Sequence, residues 1–218
     1  MRITRIERQK KRGRWNVYAD GEFLIGLSED IFLQFGLRVG DEVTSEQLDA
    51  LARAESRTMA KRAAMRLLAR RPRTIREIRD RLRVQEFSDA DINTTIDDLK
   101  ESGLVNDAEF AAMYIRDTLA LRPMGKLLVK RKLLLHGIDK ATADHVVDQA
   151  FHEHSQDDAA LLLGRKYLQR VTGGSTPSDN LKVRRRLAAF LGRRGYSWET
   201  IQNVLKSLLK NSEEEGMS

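Results

Sequence analysis

The chain of 218 residues has no cysteine. Disulfides, thiolate metal sites and cysteine nucleophiles are therefore excluded, and the composition fits a reducing cytoplasm. Aromatic residues make up only 6%, which leaves few rings for a base-stacking platform. Proline is equally scarce, with three in all, so long helices are unopposed. No apolar run approaches the roughly 20 residues that a membrane span needs. The opening MRITRIERQKKRGRW lacks the apolar stretch of a signal peptide, and the expectation is a cytoplasmic protein.

Catalytic signatures are missing as well. The four histidines are His136, His145, His152 and His154; the last two lie two apart, so on a helix they diverge and cannot share a metal. Thr172-Gly173-Gly174-Ser175 lacks the Gly-Lys-Ser/Thr that completes a phosphate loop. Asp97-Asp98 and Asp157-Asp158 are adjacent acids that do not converge on one ion on a helix. No Gly-x-Ser-x-Gly elbow occurs. These absences argue against an enzyme, a metal or a cofactor.

What is present is charge and helical periodicity. Hydrophobic residues are 41% and charged residues 33%, with a net charge of +7. That is enough apolar material for a core, with a mild bias toward a polyanionic partner. Near the N-terminus Trp15, Val17 and Ala19 alternate with Asn16, Tyr18 and Asp20. Asp20-Gly21 is a two-residue hairpin signal, and Glu22 to Ile25 forms the return strand. Ser28 is expected to cap a short helix ending at Gly36, and Thr44 to Gln47 reads as a capping box.

Beyond residue 53 one unit repeats three times. Ile78, Leu82, Phe87, Ile92, Ile96 and Leu99 become Val129, Leu133, Ile138, Ala143, Val147 and Ala150 after a shift of 51 residues. A shift of 109 gives Leu187, Leu191, Tyr196, Ile201, Leu205 and Leu208. Ser88, Asp139 and Ser197 recur as helix N-caps, and Gly137 and Gly195 as C-caps. Glu86 stands at the glycine position of the first copy, which predicts a less tight turn there. Pro72 matches Pro123, and the third copy carries a Gly/Ser/Pro-rich insertion from Thr172 to Asn180. The expected fold is mainly α: three tandem three-helix repeats in an elongated, curved array, with a small β-hairpin/α extension. The expected boundaries are 1–52 for the extension, 53–109, 110–158 and 159–211 for the repeats, and 212–218 for a disordered acidic tail.

Charge is segregated along this frame. Residues 57–83 hold eleven basic and two acidic side chains, 86–109 eight acids and one Lys, and 116–132 six basic and one acidic. Residues 139–158 hold six acids and one Lys, and 165–194 nine basic and one acidic. First and second helices are basic, and the third helices of the first two repeats are acidic. A basic stripe that meets a polyanion follows from such an array, with pairs such as Glu77 to Arg81 internal. Contact candidates, chosen by charge and position, are Arg70, Arg71, Arg73 and Arg76 at the first joint and Arg122, Lys126 and Lys130 at the second. Lys182, Arg185, Arg193 and Arg194 complete the set in the third repeat. Trp15 and Tyr18 are the candidates for stacking, while Phe87, Phe110 and Tyr196 read as core. Reversing Lys126 and Lys130 is expected to spare folding.

Three groups of residues carry a family resemblance. Thr74-Ile75-Arg76-Glu77-Ile78 through Leu82, then Leu99 to Ala111 (LKESGLVNDAEFA), and Arg122-Pro123-Met124-Gly125 with Leu133, Gly137 and Ile138 resemble the central signature of the RecX regulatory proteins. Asp20-Gly21-Glu22 and Gly36 to Asp41 resemble the extension of longer members. The resemblance implies a monomeric, non-enzymatic modulator of the RecA recombinase. It would bind RecA and the RecA–single-stranded-DNA filament, with non-specific affinity for single- and double-stranded DNA. It would restrain ATPase, strand-exchange and co-protease activity in homologous recombination, DNA repair and the SOS response. The alternative is a tandem helix-turn-helix protein that acts directly on DNA. Acidic third helices weigh against it, because a recognition helix presents Arg, Lys, Asn or Gln to base edges.

Overall fold

A computed structural model describes residues 1–10, 13–152, 156–172 and 180–209. The inserted stretch at 173–179, His154 and the expected tail at 212–218 lie outside the described residues. Three strands come first, β1 (Ile3–Arg8), β2 (Arg14–Ala19) and β3 (Glu22–Ser28). They form one antiparallel sheet in the order β1-β2-β3. Ala19 faces Glu22 across the turn. Asp20 and Gly21 both take positive φ, 50° and 89°, the geometry that lets a two-residue loop match the twist of its strands.

Ten helices follow among the described residues: α1 (Glu29–Phe35), α2 (Ser45–Leu68), α3 (Ile75–Arg83), α4 (Asp89–Glu101), α5 (Asp107–Leu121), α6 (Lys126–Leu135), α7 (Lys140–His152), α8 (Gln156–Thr172), α9 (Asn180–Arg193) and α10 (Trp198–Leu209). The chain divides into two compact units, Met1–Arg73 with Glu77–Val105, and Thr74–Arg76 with the residues from Asn106 onward.

In the first unit Ile3, Val17, Leu27, Ile31, Val43 and Leu51 form a core between the sheet, α1 and α2. The Thr44–Gln47 capping box is complete in both directions. Ser28 precedes α1, but its hydroxyl makes no capping bond. Its backbone N–H instead donates to Glu55 Oε2 at 2.7 Å. Glu55 Oε1 also lies 3.1 Å from Arg14 Nη1, which ties the sheet to the middle of α2. Trp15 stacks on Phe32 with centroids 4.6 Å apart, so it serves the packing of this unit and is no open platform. Tyr18 meets Phe23 edge-on, and the Arg5 guanidinium sits 4.1 Å above its ring.

The repeats are α2–α3–α4, α5–α6–α7 and α8–α9–α10, where only the later part of α2 serves the first. The eighteen positions linked by the two shifts are buried except Phe87, Ala150 and Leu208, which are half-buried. Each buried Leu, Ile or Val contributes about 1.5–3 kcal/mol. The N-caps repeat in atomic detail. Ser88 Oγ accepts from Asp91 N, Asp139 Oδ1 from Thr142 N, and Ser197 Oγ from Thr200 N, at 3.1, 2.9 and 3.1 Å. Asp139 has its carboxyl below the usual carboxylate range because Thr142 hydrogen-bonds it, first through its side chain and then its backbone.

The turns between second and third helices are also alike, which corrects the expectation for Glu86. Its φ is 63°, beside 85° for Gly137 and 81° for Gly195. Phe87 N, Ile138 N and Tyr196 N donate to Leu82 O, Leu133 O and Leu191 O in the same closing bond, at 3.4, 3.2 and 3.3 Å. A non-glycine residue in this region costs about 1–2 kcal/mol, and the first turn is equally tight at that cost.

Candidate nucleic-acid interface

The joints are what position the repeats of the second unit, and they recur. Gly125 N donates to Arg194 O at 2.8 Å and Leu127 N to Gly195 O at 3.1 Å. Gln156 Oε1 accepts from Lys126 N at 3.2 Å. Thus the tight turn after α9 and the first residue of α8 together satisfy the free N–H groups that open α6. The start of α3 meets the same set of partners. Thr74 Oγ1 donates to His136 O at 2.8 Å, and Asp107 Oδ1 accepts from Ile75 N at 2.9 Å. His136 precedes Gly137 as Arg194 precedes Gly195, and Asp107 opens α5 as Gln156 opens α8. These contacts are why Thr74–Arg76 group with the second unit.

The joints also decide where glycine is required. A Cβ on Gly137 would lie 2.1 Å from Arg76 Cδ, and one on Gly195 would lie 2.3 Å from Leu128 N. Glu86 is exposed, so a side chain there meets only the conformational cost. This requirement is tertiary, and periodicity alone could not reveal it.

The candidate contact residues fall into three groups. Arg71 and Arg73 both engage Glu77 Oε2, at 2.9 and 3.5 Å, and Arg73 Nε also donates to Leu67 O at 3.3 Å. Glu77 therefore pairs backward across the Pro72 turn, and Arg81, assigned to it by spacing, is exposed without an ion pair among the described residues. Lys126 pairs with Asp148 and Lys130 with Asp144. Asp148 is held below the usual carboxylate range chiefly by its hydrogen bond from Lys126. Arg70, Arg122, Arg185 and Arg193 are exposed and make no ion pair among the described residues. Arg76 and Lys182 are exposed, the first lying along Gly137. Arg194 is half-buried, its guanidinium 5.4 Å from the Phe190 centroid.

A rule emerges from these pairs. In the first two repeats, acids of the third helix neutralise cations of the other helices. Arg83 meets Asp89 at 3.0 Å, Lys61 meets Asp98 at 3.0 Å, and Arg57 meets Asp91 at 3.5 Å. Lys126 and Lys130 of α6 follow suit with Asp148 and Asp144 of α7. Much of the charge segregation seen along the chain is therefore internal complementarity. The third helix of the third repeat breaks the rule, with Gln202 and Lys206 at the places of Asp144 and Asp148.

An apolar cleft of about 650 Å³ lies within the second unit, lined by Ile115, Leu119, Pro123, Met124, Phe151 and Tyr196 among others. The Tyr196 hydroxyl is buried without a hydrogen-bond partner. Burial pushes its pKa above the ordinary tyrosine value, and the nearby Arg194 opposes that rise. Among the described residues no group of three or more His, Asp or Glu side chains could hold a metal ion, and no helix is long and apolar enough to cross a membrane.

Comparison with known families follows the same divisions. The model described as "Regulatory protein RecX N-terminal domain" matches residues 1–44, and those for the first, second and third RecX three-helix domains match 60–99, 106–147 and 155–205. A protein named "Regulatory protein RecX" from Clostridium beijerinckii is 30% identical over 209 residues, covering 95% of this chain and 96% of that one. The chain belongs to the RecX family. A second protein named "Regulatory protein RecX", from Clostridium acetobutylicum, is 30% identical over 216 residues, covering 96% of this chain and 97% of that one. A crystal structure of a regulatory protein RecX shares the fold with a TM-score of 0.73 at 24% identity, covering 96% of this chain and 98% of that one. RecX from Lactobacillus salivarius gives 0.61 at 23%, covering 71% and 97%.

Within the RecX signature, several residues turn out to build joints. Thr74, Asp107, Gly125 and Gly137 all stand at the contacts described above. Asn106 caps α5 by accepting from Ala108 N at 3.0 Å and Glu109 N at 3.4 Å. These signature residues build helix starts and tight turns within the second unit, and their roles there are caps and backbone contacts.

Proposed function

We propose that this RecX protein is a non-enzymatic regulator that binds RecA and RecA–single-stranded-DNA filaments and restrains their ATPase, strand-exchange and co-protease activity. The observation that carries this reading is the match to all four RecX domain models along the chain. It is supported by exposed cations that lack internal partners among the described residues, notably Arg70, Arg122, Arg185 and Arg193. Such side chains are available to phosphates or to an acidic protein surface. The protein acts in the cytoplasm as a monomer, and its affinity for bare single or double strands is independent of sequence.

The helix-turn-helix alternative fares worse. The acids of α4 and α7 that would approach base edges are Asp89, Asp98, Asp144 and Asp148, already paired within their own repeats. A helix of that charge is repelled by the duplex. Co-sedimentation tests the reading: the protein is expected to pellet with RecA assembled on single-stranded DNA. Failure to pellet with filaments at moderate salt would refute filament binding.

A further inference from the structure

The third repeat differs from the other two in the one respect that matters for a polyanion. Its first and second helices carry Arg165, Lys166, Arg170, Lys182, Arg184, Arg185, Arg186, Arg193 and Arg194. The pairing acids of α7, Asp144 and Asp148, are replaced on α10 by Gln202 and Lys206, those of α4, Asp89, Asp91 and Asp98, by Trp198, Thr200 and Ser207, and Glu199 is the acid that α10 carries. Asp157, at the start of α8, accepts from Asn203 Nδ2 at 2.9 Å.

This repeat also holds an aromatic pair. Tyr167 of α8 and Phe190 of α9 stack with centroids 4.3 Å apart and planes 18° from parallel. Both rings are half-buried. The matching places in the first two repeats hold Leu67 with Arg81, and Thr118 with Lys132. Arg186 and Arg194 lie four residues either side of Phe190, hence on its helix face, and Arg194 rests on the ring. Arg193 flanks that face, where the other repeats expose Leu135 and Val84. On α8, Lys166 and Arg170 border Tyr167. Lys166, Arg170, Arg186 and Arg193 are exposed and make no ion pair among the described residues.

We infer that the α8–α9 face of the third repeat is the contact of this protein with single-stranded nucleic acid. Lys166, Arg170, Arg186, Arg193 and Arg194 hold successive phosphodiesters, and the Tyr167–Phe190 stack fixes the two helices that present them. The first two repeats, where third-helix acids pair with Arg57, Lys61, Arg83, Lys126 and Lys130, contribute less to this contact. The inference rests on the nucleic-acid part of the proposed function and assigns it to one repeat.

The test is fluorescence anisotropy with a labelled oligothymidylate over a salt series. Wild type is compared with Lys166→Glu/Arg170→Glu, with Arg186→Glu/Arg193→Glu, and with Arg81→Glu/Arg131→Glu, two exposed arginines of the first two repeats, as the control of equal charge change. Loss of phosphate contacts lowers both affinity and the salt slope. Each third-repeat double variant is expected to weaken binding by about tenfold or more and flatten the slope, while the control changes it by less than about threefold. Arg186→Gln/Arg193→Gln, with half the charge change, is expected to follow the same direction and guards against misfolding by reversal. Equal weakening by the control, or unaltered binding in the third-repeat variants, overturns the assignment. A wild type that binds no oligonucleotide at any salt overturns the nucleic-acid reading itself, whereas RecA binding would stand on the co-sedimentation result.

Discussion

Gly125 and Gly195 meet backbone to backbone. A Cβ on Gly125 would lie 2.2 Å from the Gly195 carbonyl oxygen, and the neighbouring amide and carbonyl groups bond across the contact at 2.8 and 3.1 Å. Backbones can approach so closely only where neither residue carries a side chain. The pair accounts for the glycine of the Arg122-Pro123-Met124-Gly125 motif and for the glycine that ends α9.

Gly125→Ala and Gly195→Ala are therefore expected to destabilise the protein, by about 1–3 kcal/mol from overpacking. Gly195→Ala adds about 1–2 kcal/mol for its left-handed backbone. Glu86→Gly has the opposite expectation: relief of strain offset by greater freedom in the unfolded chain, for a net change between zero and about 1 kcal/mol of stabilisation. Thermal melts of the three variants check this ordering. Equal losses for all three would mean that the turns are not distinguished by their joints.

Much of this design is legible in the sequence, and what is not follows a physical pattern. The N-caps at Ser88, Asp139 and Ser197 and the Thr44–Gln47 box depend on neighbours within three residues, so spacing reveals them. The repeated apolar positions are equally local in origin. Partners distant in sequence are hidden. Lys130 finds Asp144 on the next helix, and Glu77 turns back to Arg71 instead of forward to Arg81. The Tyr167–Phe190 stack depends on how α8 lies against α9, which no spacing within either helix encodes. Glu86 was misleading for the same reason, since the demand for glycine comes from a contact that its turn lacks.

Glu55 joins the sheet to α2 by taking the Ser28 N–H and facing Arg14, and it is 8% exposed. Glu55→Ala leaves a buried N–H without its acceptor and a mostly buried guanidinium without its counter-charge. The expected cost is about 3–5 kcal/mol, measured by urea unfolding. A loss below about 1 kcal/mol, the range of a surface pair, would show that this tie is dispensable.

Tyr196→Phe removes a buried hydroxyl that has no partner. Because an unmet polar group costs free energy in the folded state, the variant is expected to be as stable as the parent or more so, by up to about 1 kcal/mol. A clear loss in a thermal melt would reveal a partner for that hydroxyl.

Acid should weaken two links of the helical repeats. The folded-state pKa values of Asp139 and Asp148 are lowered, so their contribution is fully present above the ordinary carboxylate pKa of about 4. It is lost as pH falls through the lower folded value, where folding no longer favours the ionised form. Asp139→Asn keeps an oxygen acceptor for the Thr142 amide but does not titrate. Stability measured against pH is expected to fall less steeply in acid for this variant, and an identical profile would remove Asp139 from the account.

Lys126 and Lys130 face Asp148 and Asp144, so the expectation that their reversal spares folding does not survive the geometry. Lys126→Glu/Lys130→Glu sets like charges against each other and is expected to lower the melting temperature modestly, with the loss reduced at high salt. Leu133→Ala, in the core of the same repeat, is expected to cost about 2–5 kcal/mol independent of salt. A reversal that cost as much as Leu133→Ala would contradict the surface character of those pairs.

The central claim is regulation of the RecA filament without chemistry by the regulator. Its most direct test is the DNA-dependent ATP hydrolysis of RecA on single strands, with this protein titrated from zero to one per RecA. The account predicts progressive inhibition at substoichiometric to near-stoichiometric ratios. Unchanged ATP hydrolysis over the whole titration, at low and at moderate salt, would contradict it.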